Sequence, residues 1–210
     1  MKIIEPSIEV ISEINGVEML KAIERAGRTC YKSDNNITDT SAPAFVRKLI
    51  EHGHEAMIEH APSISLKFIC DRGVSHEIVR HRLFSFAQES TRYCNYGKNK
   101  FNNELTFIKP CFWDKGSDEY MAWFSAMEAA ERFYMELLNT NGAAPEQARS
   151  VLPTSVKTEL VVTGNVREWR HFFKLRTEKA AHPQMRQIAI MALEMLRERI
   201  DVLFDDISAV

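Results

Sequence analysis

The chain has 210 residues, 45% of them apolar and 27% charged; that balance suits a single domain over 1–210 with a sizeable core and argues against disorder. Its formal net charge of -2 supplies no overall positive field towards nucleic acid or an anionic membrane, so any anion must be met by a local cluster. Four widely spaced cysteines without a C-x-x-C pair, and an N-terminus interrupted by Glu5, Pro6 and Glu9, argue against a disulfide scaffold, a thiolate zinc site and a secretory leader, and point to a cytoplasmic protein without a membrane partner.

Residues 2–10 read as an opening strand interrupted at Pro6. Val17, Leu20, Ile23 and Ala26 predict a helix over 16–27, with Gly27 stopping the run. Ser41 is placed to cap a second helix carrying Phe45, Val46, Leu49 and Ile50, which ends around His52-Gly53. From Ser63 to Cys70 the apolar residues Ile64, Leu66 and Phe68 alternate with polar ones, the period of a half-buried strand. DRGVSHEIVRHR reads as a helix that delivers Arg80, His81 and Arg82 at its C-terminal end, where the macrodipole favours cations. SFAQESTRYCNYGKNK, polar and aromatic without a period, reads as a loop.

A strand is expected at Leu105–Lys109, followed by the longest helix over 117–139 with Trp123, Met127, Ala130, Tyr134 and Leu137 on its buried stripe. Pro145 starts a short helix through Arg149. Val156, Leu160 and Val162 suggest another strand. Asn165 then caps a helix carrying Trp169, Phe172 and Phe173, with Glu168 at the reciprocal capping-box position. A last helix from Pro183 is expected to bury Ile188, Met191, Met195 and Leu203. The sum is an α+β fold, with helices around a modest, mainly antiparallel sheet.

Three groups of residues carry possible chemistry. HGHEAMIEH at 52–60 holds three histidines, but Ile58 stands where H-E-x-x-H needs histidine, and His54 and His60 fall on different faces of a helix. No glycine-rich phosphate cradle occurs, so anion recognition falls to arginine forks and to hydroxyls such as those of Ser90 and Thr91 beside Arg92. Arg149 in ARSVLP and Arg176 in FFKLR either pair with carboxylates, snorkel, or meet such an anion. Ser90 as a nucleophile would need a positioned base that no local signature provides, which favours a phosphate-donor role. Two further functions stay open on the residues alone: a single-stranded RNA module stacking bases on Tyr93 and Tyr96 beside Arg92, and a metallohydrolase built on the three histidines.

The spacing Arg80-His81-Arg82, Ser85, Ser90 and Arg92 matches the R-H-R-x(7)-S-x-R signature of the flavin-dependent thymidylate synthases. The chain resembles that family also in GRTCYKS at 27–33, HGHE and EH within 52–60, ARSVLP at 148–153, and N-x-R with HFF-x-LR between 165 and 176. The resemblance implies a homotetramer, with sites at subunit interfaces, that makes dTMP from dUMP. The carbon comes from 5,10-methylenetetrahydrofolate and the reducing equivalents from NADPH through FAD; no metal and no nucleic acid take part. It places FAD against Ala56, through backbone, and against Arg80, His81, Arg82, Gln88, Asn165, Val166, Arg167 and His171, with His54 and Glu59 close by. It places dUMP against Glu77, Ile78, Val79, Arg80, Gln88, Glu89, Ser90, Thr91, Arg92, Arg149 and Arg176. Arg176, desolvated beside Phe172, Phe173 and Leu175, is the expected catalytic residue, stabilising negative charge on the uracil.

Overall fold

Pro6, which has no N–H for a sheet ladder, divides the opening segment into β1 (Lys2–Ile4) and β2 (Ser7–Val10) in the computed structural model, which describes residues 1–209. The two strands go to different sheets. β1 pairs in parallel with β5 (Thr106–Ile108), Lys2 opposite Thr106. β2 joins β3 (Ile64–Asp71), β4 (Ser85–Gln88) and β6 (Lys157–Gly164) in a four-stranded sheet of order β2-β3-β6-β4. The strands and eight helices make the expected α+β fold with a mainly antiparallel sheet. No helix among the described residues is long and apolar enough to cross a membrane.

The chain forms two compact units. The first comprises Met1–Ser7, Phe68–Arg80 and Ala87–Leu160. Its core is built on α5 (Asp118–Asn139), which Ser117 caps by accepting a hydrogen bond from Tyr120 N at 3.2 Å. Tyr120, Trp123, Met127 and Tyr134 are buried on one face at helical spacing, against Leu105, Phe107 and Val156. Trp123 satisfies its indole N–H on Ser155 Oγ at 3.2 Å. Ala130 and Leu137, expected on the stripe, are only half-buried.

The second unit comprises Ile8–Lys67, His81–Phe86 and Val161–Val210. It holds α1 (Gly16–Thr29), α2 (Ala42–Glu51), the single turn α3 (Glu55–Ile58), α7 (Val166–Arg176) and α8 (Pro183–Arg197). Gly27 does not stop α1: it lies inside the helix, where a Cβ would stand 2.8 Å from the Phe45 ring, so its role is to let the helices approach. Ser41 precedes α2 but makes no cap bond, because its hydroxyl donates to Glu24 Oε2 at 2.8 Å. α8 buries Met185, Ile188, Ala189, Ala192, Leu193 and Leu196, a face rotated from the one expected, and leaves Met191 and Met195 half-buried. Arg170, 1% exposed, forms a two-pronged pair with Asp206 at 2.6 and 2.7 Å, which holds that carboxyl below its usual range.

Candidate active site

In the first unit the site is built from α4 (Arg72–Ile78), the loop after β4, and the turn around Arg149. Asp71 caps α4, its Oδ1 accepting from Val74 N at 2.7 Å, and Arg72 N is tied to Thr154 O at 2.8 Å. The helix ends at Ile78, so Arg80, His81 and Arg82 follow it rather than form its last turn. Arg72 and His76, four residues apart on one face, line a cavity of about 140 Å³ with Thr91, Arg149 and residues 152–154. Two guanidiniums, an imidazole and two threonines around one small space are a set able to hold an anion. Neither Arg72 nor His76 was among the sequence candidates; their i, i+4 spacing beside the triplet was the available signal.

The loop residues are held in distinct ways. β4 occupies Ser85–Gln88, where the sequence pattern suggests only loop. Gln88 Nε2 donates to Ser75 Oγ at 2.8 Å and Thr158 Oγ1 at 3.2 Å, which leaves the amide oxygen as its open end. The Glu89 carboxylate is committed: it accepts from Tyr96 Oη at 2.9 Å, Lys157 Nζ at 3.1 Å and Glu159 N at 3.2 Å. Burial, then the Glu89 charge, pushes the Tyr96 phenol up. With Tyr96 buried and bonded there, the base-stacking surface proposed for RNA loses one of its two rings. Ser90 Oγ accepts from Arg92 N at 3.3 Å, Thr91 is buried, and the Arg92 guanidinium lies 3.6 Å from Glu146 with both side chains more than half exposed. Arg149 is exposed, Glu77 half-buried and Ile78 fully buried, while Val79 and Arg80 are exposed.

In the second unit α7 organises the site. Asn165 caps it, Oδ1 accepting from Glu168 N at 2.9 Å. Glu168 returns no reciprocal bond to the cap; its buried Oε1 lies 3.5 Å from His81 Nδ1. Trp169, Phe172 and Phe173 are fully buried, and the Phe172 ring meets His81 edge-on at 5.0 Å between centroids. Arg176 Nε donates to His81 Nε2 at 3.0 Å. Leu175 is exposed, so the apolar surroundings of Arg176 come from the phenylalanine side of the helix. Burial, then the charges of Arg176 and His171, lowers the His81 pKa to about 4, so the ring is neutral at pH 7. Gly164, at the end of β6, abuts Phe84, and a Cβ there would lie 2.2 Å from the ring.

His54, Ala56 and Glu59 are exposed at and after the α3 turn; Arg167 donates to Glu59 at 2.7 Å, and Val166 is buried. His52, His54 and His60 are all exposed. The residues that do converge are His81, Glu168 and His171, with one possible ligand atom each within 4.8 Å of the others. The Arg176 cation on the opposite nitrogen of His81 works against a second positive charge there. Sorting the candidates by unit divides them nearly by ligand. Glu77–Arg80, Gln88–Arg92 and Arg149 lie in the first; His54, Ala56, Glu59, His81, Arg82, Asn165–Arg167, His171 and Arg176 lie in the second.

Comparison with known proteins gives a consistent answer. A family profile described as thymidylate synthase complementing protein matches residues 11–200. The flavin-dependent thymidylate synthase of Corynebacterium aurimucosum is 36% identical over 200 residues, covering 88% of this chain and 78% of that protein. The protein of the same name from Pyrococcus furiosus is 34% identical over 176 residues, covering 84% and 71%. A crystal structure of the UMP/dUMP methylase PolB from Streptomyces cacaoi, bound with 5-Br dUMP, shares the fold with a TM-score of 0.78 at 23% identity, over 98% of this chain and 96% of that one. The chain therefore belongs to the thymidylate synthase complementing protein family, that of the flavin-dependent thymidylate synthases.

Proposed function

We propose that the protein catalyses the reductive methylation of dUMP to dTMP, with 5,10-methylenetetrahydrofolate as carbon donor and NADPH, through FAD, as reductant. The observation that carries this reading is the family match over residues 11–200, which takes in every candidate site residue and both units; it also supports treating the chain as one functional domain. The wide spacing of the four cysteines, without a C-x-x-C pair, supports a reducing, cytosolic setting.

The donor set suits FAD. Arg80 in the first unit and Arg82 in the second are both exposed, and each offers a guanidinium suited to a phosphate oxygen. The N-terminus of the eleven-residue α7 at Asn165, Val166 and Arg167 adds a favourable dipole end. The family resemblance adds His81, His171, His54, Ala56 and Glu59 from the second unit and Gln88 from the first as contacts of FAD. When bound, FAD supplies the hydride chemistry that links NADPH to the transferred carbon.

The chain's own residues bind, orient and stabilise. Thr91 and Arg149 hold the dUMP phosphate with Arg72 and His76, which line the same cavity, and Ser90 and Arg92 add their donors from the loop. Arg176 keeps its charge at any working pH and is held on a neutral imidazole, so it is placed to stabilise negative charge as the uracil ionises at N3. That charge makes the uracil C5 the attacking atom on the donated carbon. Ser90 has no base as partner among the described residues, so no covalent enzyme intermediate is drawn. The exposed Arg149 is free to reach a nucleotide held by a neighbouring subunit in a homotetramer.

The test is an absorbance spectrum of purified protein together with product analysis. A yellow protein, bleached by NADPH and forming dTMP only when dUMP and methylenetetrahydrofolate are both present, is the expected result. Protein that stays colourless after FAD addition and makes no dTMP overturns the reading.

A further inference from the structure

The Arg176 guanidinium cannot give up a proton, so the nitrogen that receives its Nε–H must present a lone pair. That nitrogen is His81 Nε2, at 3.0 Å. A neutral imidazole accepting at Nε2 carries its proton on Nδ1, and Glu168 Oε1 lies 3.5 Å from His81 Nδ1, a distance that a small movement of either side chain closes to a hydrogen bond. Water has little access, with His81 5% and Glu168 6% exposed. The groups facing His81 include the Phe172 edge, the Phe84 ring at 6.1 Å, the His171 ring at 5.7 Å, Glu168 and Arg176. Glu168 is itself fixed, because its backbone N–H is bound by the Asn165 cap.

We propose that Glu168 is a positioning residue: it accepts from the Nδ1–H of His81 and so fixes the tautomer that holds Arg176 in its working orientation. Without that carboxylate a neutral His81 is able to carry its proton on either nitrogen. The Nε2–H form sets a donor against the donor of Arg176, and the guanidinium must swing away. The same logic governs histidines whose second nitrogen is oriented by a carboxylate in other catalytic settings. Burial pushes the Glu168 carboxyl up while His171 works against that rise, so its hold on the imidazole is sensitive to the packing around it. The consequence for turnover rests on the thymidylate synthase reading; the tautomer does not.

The experiment uses the FAD-loaded protein with 15N-labelled histidine, His81 being assigned by loss of its signals in His81→Gln. At neutral pH the long-range 1H–15N spectrum is expected to show His81 protonated at Nδ1 and bare at Nε2. Glu168→Ala is expected to give a mixture of tautomers and to lower kcat about tenfold, with flavin content and the KM for dUMP unchanged within about twofold. Glu168→Gln, which still accepts through its amide oxygen, is expected to restore the Nδ1–H form and most of kcat. An Nε2–H or doubly protonated His81 in the wild-type protein overturns the proposal, as does an unchanged tautomer in Glu168→Ala. If Glu168→Ala does not fold, the wild-type and Glu168→Gln spectra decide. The expected tautomers in a protein that makes no dTMP would overturn the function and leave the positioning role standing.

Discussion

α4 and α7 both open on a capped N-terminus, at Asp71 and Asn165, yet they present their charges in opposite ways. α4 turns Arg72 and His76 towards a small cavity shared with the exposed Arg149, and the Glu89 carboxylate of that unit is half-buried and already bonded. α7 seals Arg170 against Asp206 and seats Arg176 on a neutral, buried imidazole. An arginine open to water keeps its solvation until a ligand replaces it, so its removal should be felt mainly as lost affinity. An arginine held in a preset geometry on a buried imidazole acts where charge develops, so its removal should be felt mainly as lost rate.

The sharpest way to break this contrast is Arg176→Ala. Turnover should fall roughly 10³-fold while flavin absorbance and the unfolding midpoint stay close to wild type; near-normal rates would take Arg176 out of the reaction. Next in size is Glu89→Ala, which removes the acceptor of the Tyr96 hydroxyl and leaves Lys157 only Glu159, at 2.7 Å. It should cost about 1–3 kcal/mol of stability in urea unfolding with an unchanged m-value. A cost within error would mean that Glu89 faces the nucleotide after all. The smallest effect belongs to Ser90→Ala, expected to weaken dUMP binding by roughly tenfold or less with turnover retained at saturating dUMP. Calorimetric titration and steady-state rates measure the two halves of that statement, and lost turnover at normal affinity would reinstate Ser90 as a nucleophile.

Much of the fold was legible where a periodic pattern ran long enough to be unambiguous. β6 alternates buried and half-buried residues along its whole length, α7 begins at the capping residue the sequence offers, and α5 fills the predicted range to within one residue. β4 was not legible because four residues carry too little of a period, and it lies at the sheet edge with one strand neighbour. Gly27 looked like a helix stop because local reasoning sees missing propensity but not the Phe45 ring that needs the space. In the site, the motif spacing located the residues but not their partners. Glu168 has the right offset for a reciprocal cap, and only the tertiary fold brings it to His81 instead. That Tyr96 and Lys157, near and distant in chain order, share the oxygens of Glu89 is visible only in the fold.

Gly164 has a further consequence. It is not among the glycines with positive φ, so its backbone would accept other residues; what forbids them is the Phe84 ring, 2.2 Å from where a Cβ would begin. The two positions are therefore locked as a pair under mutation. In a library randomised at both, alanine at 164 should survive only beside a smaller residue at 84, although each change alone is harmful: Phe84 truncation opens a void against Trp169, and a methyl at 164 overfills it. This is reciprocal sign epistasis. It would leave sequence drift through this corner of the protein with almost no single-step paths.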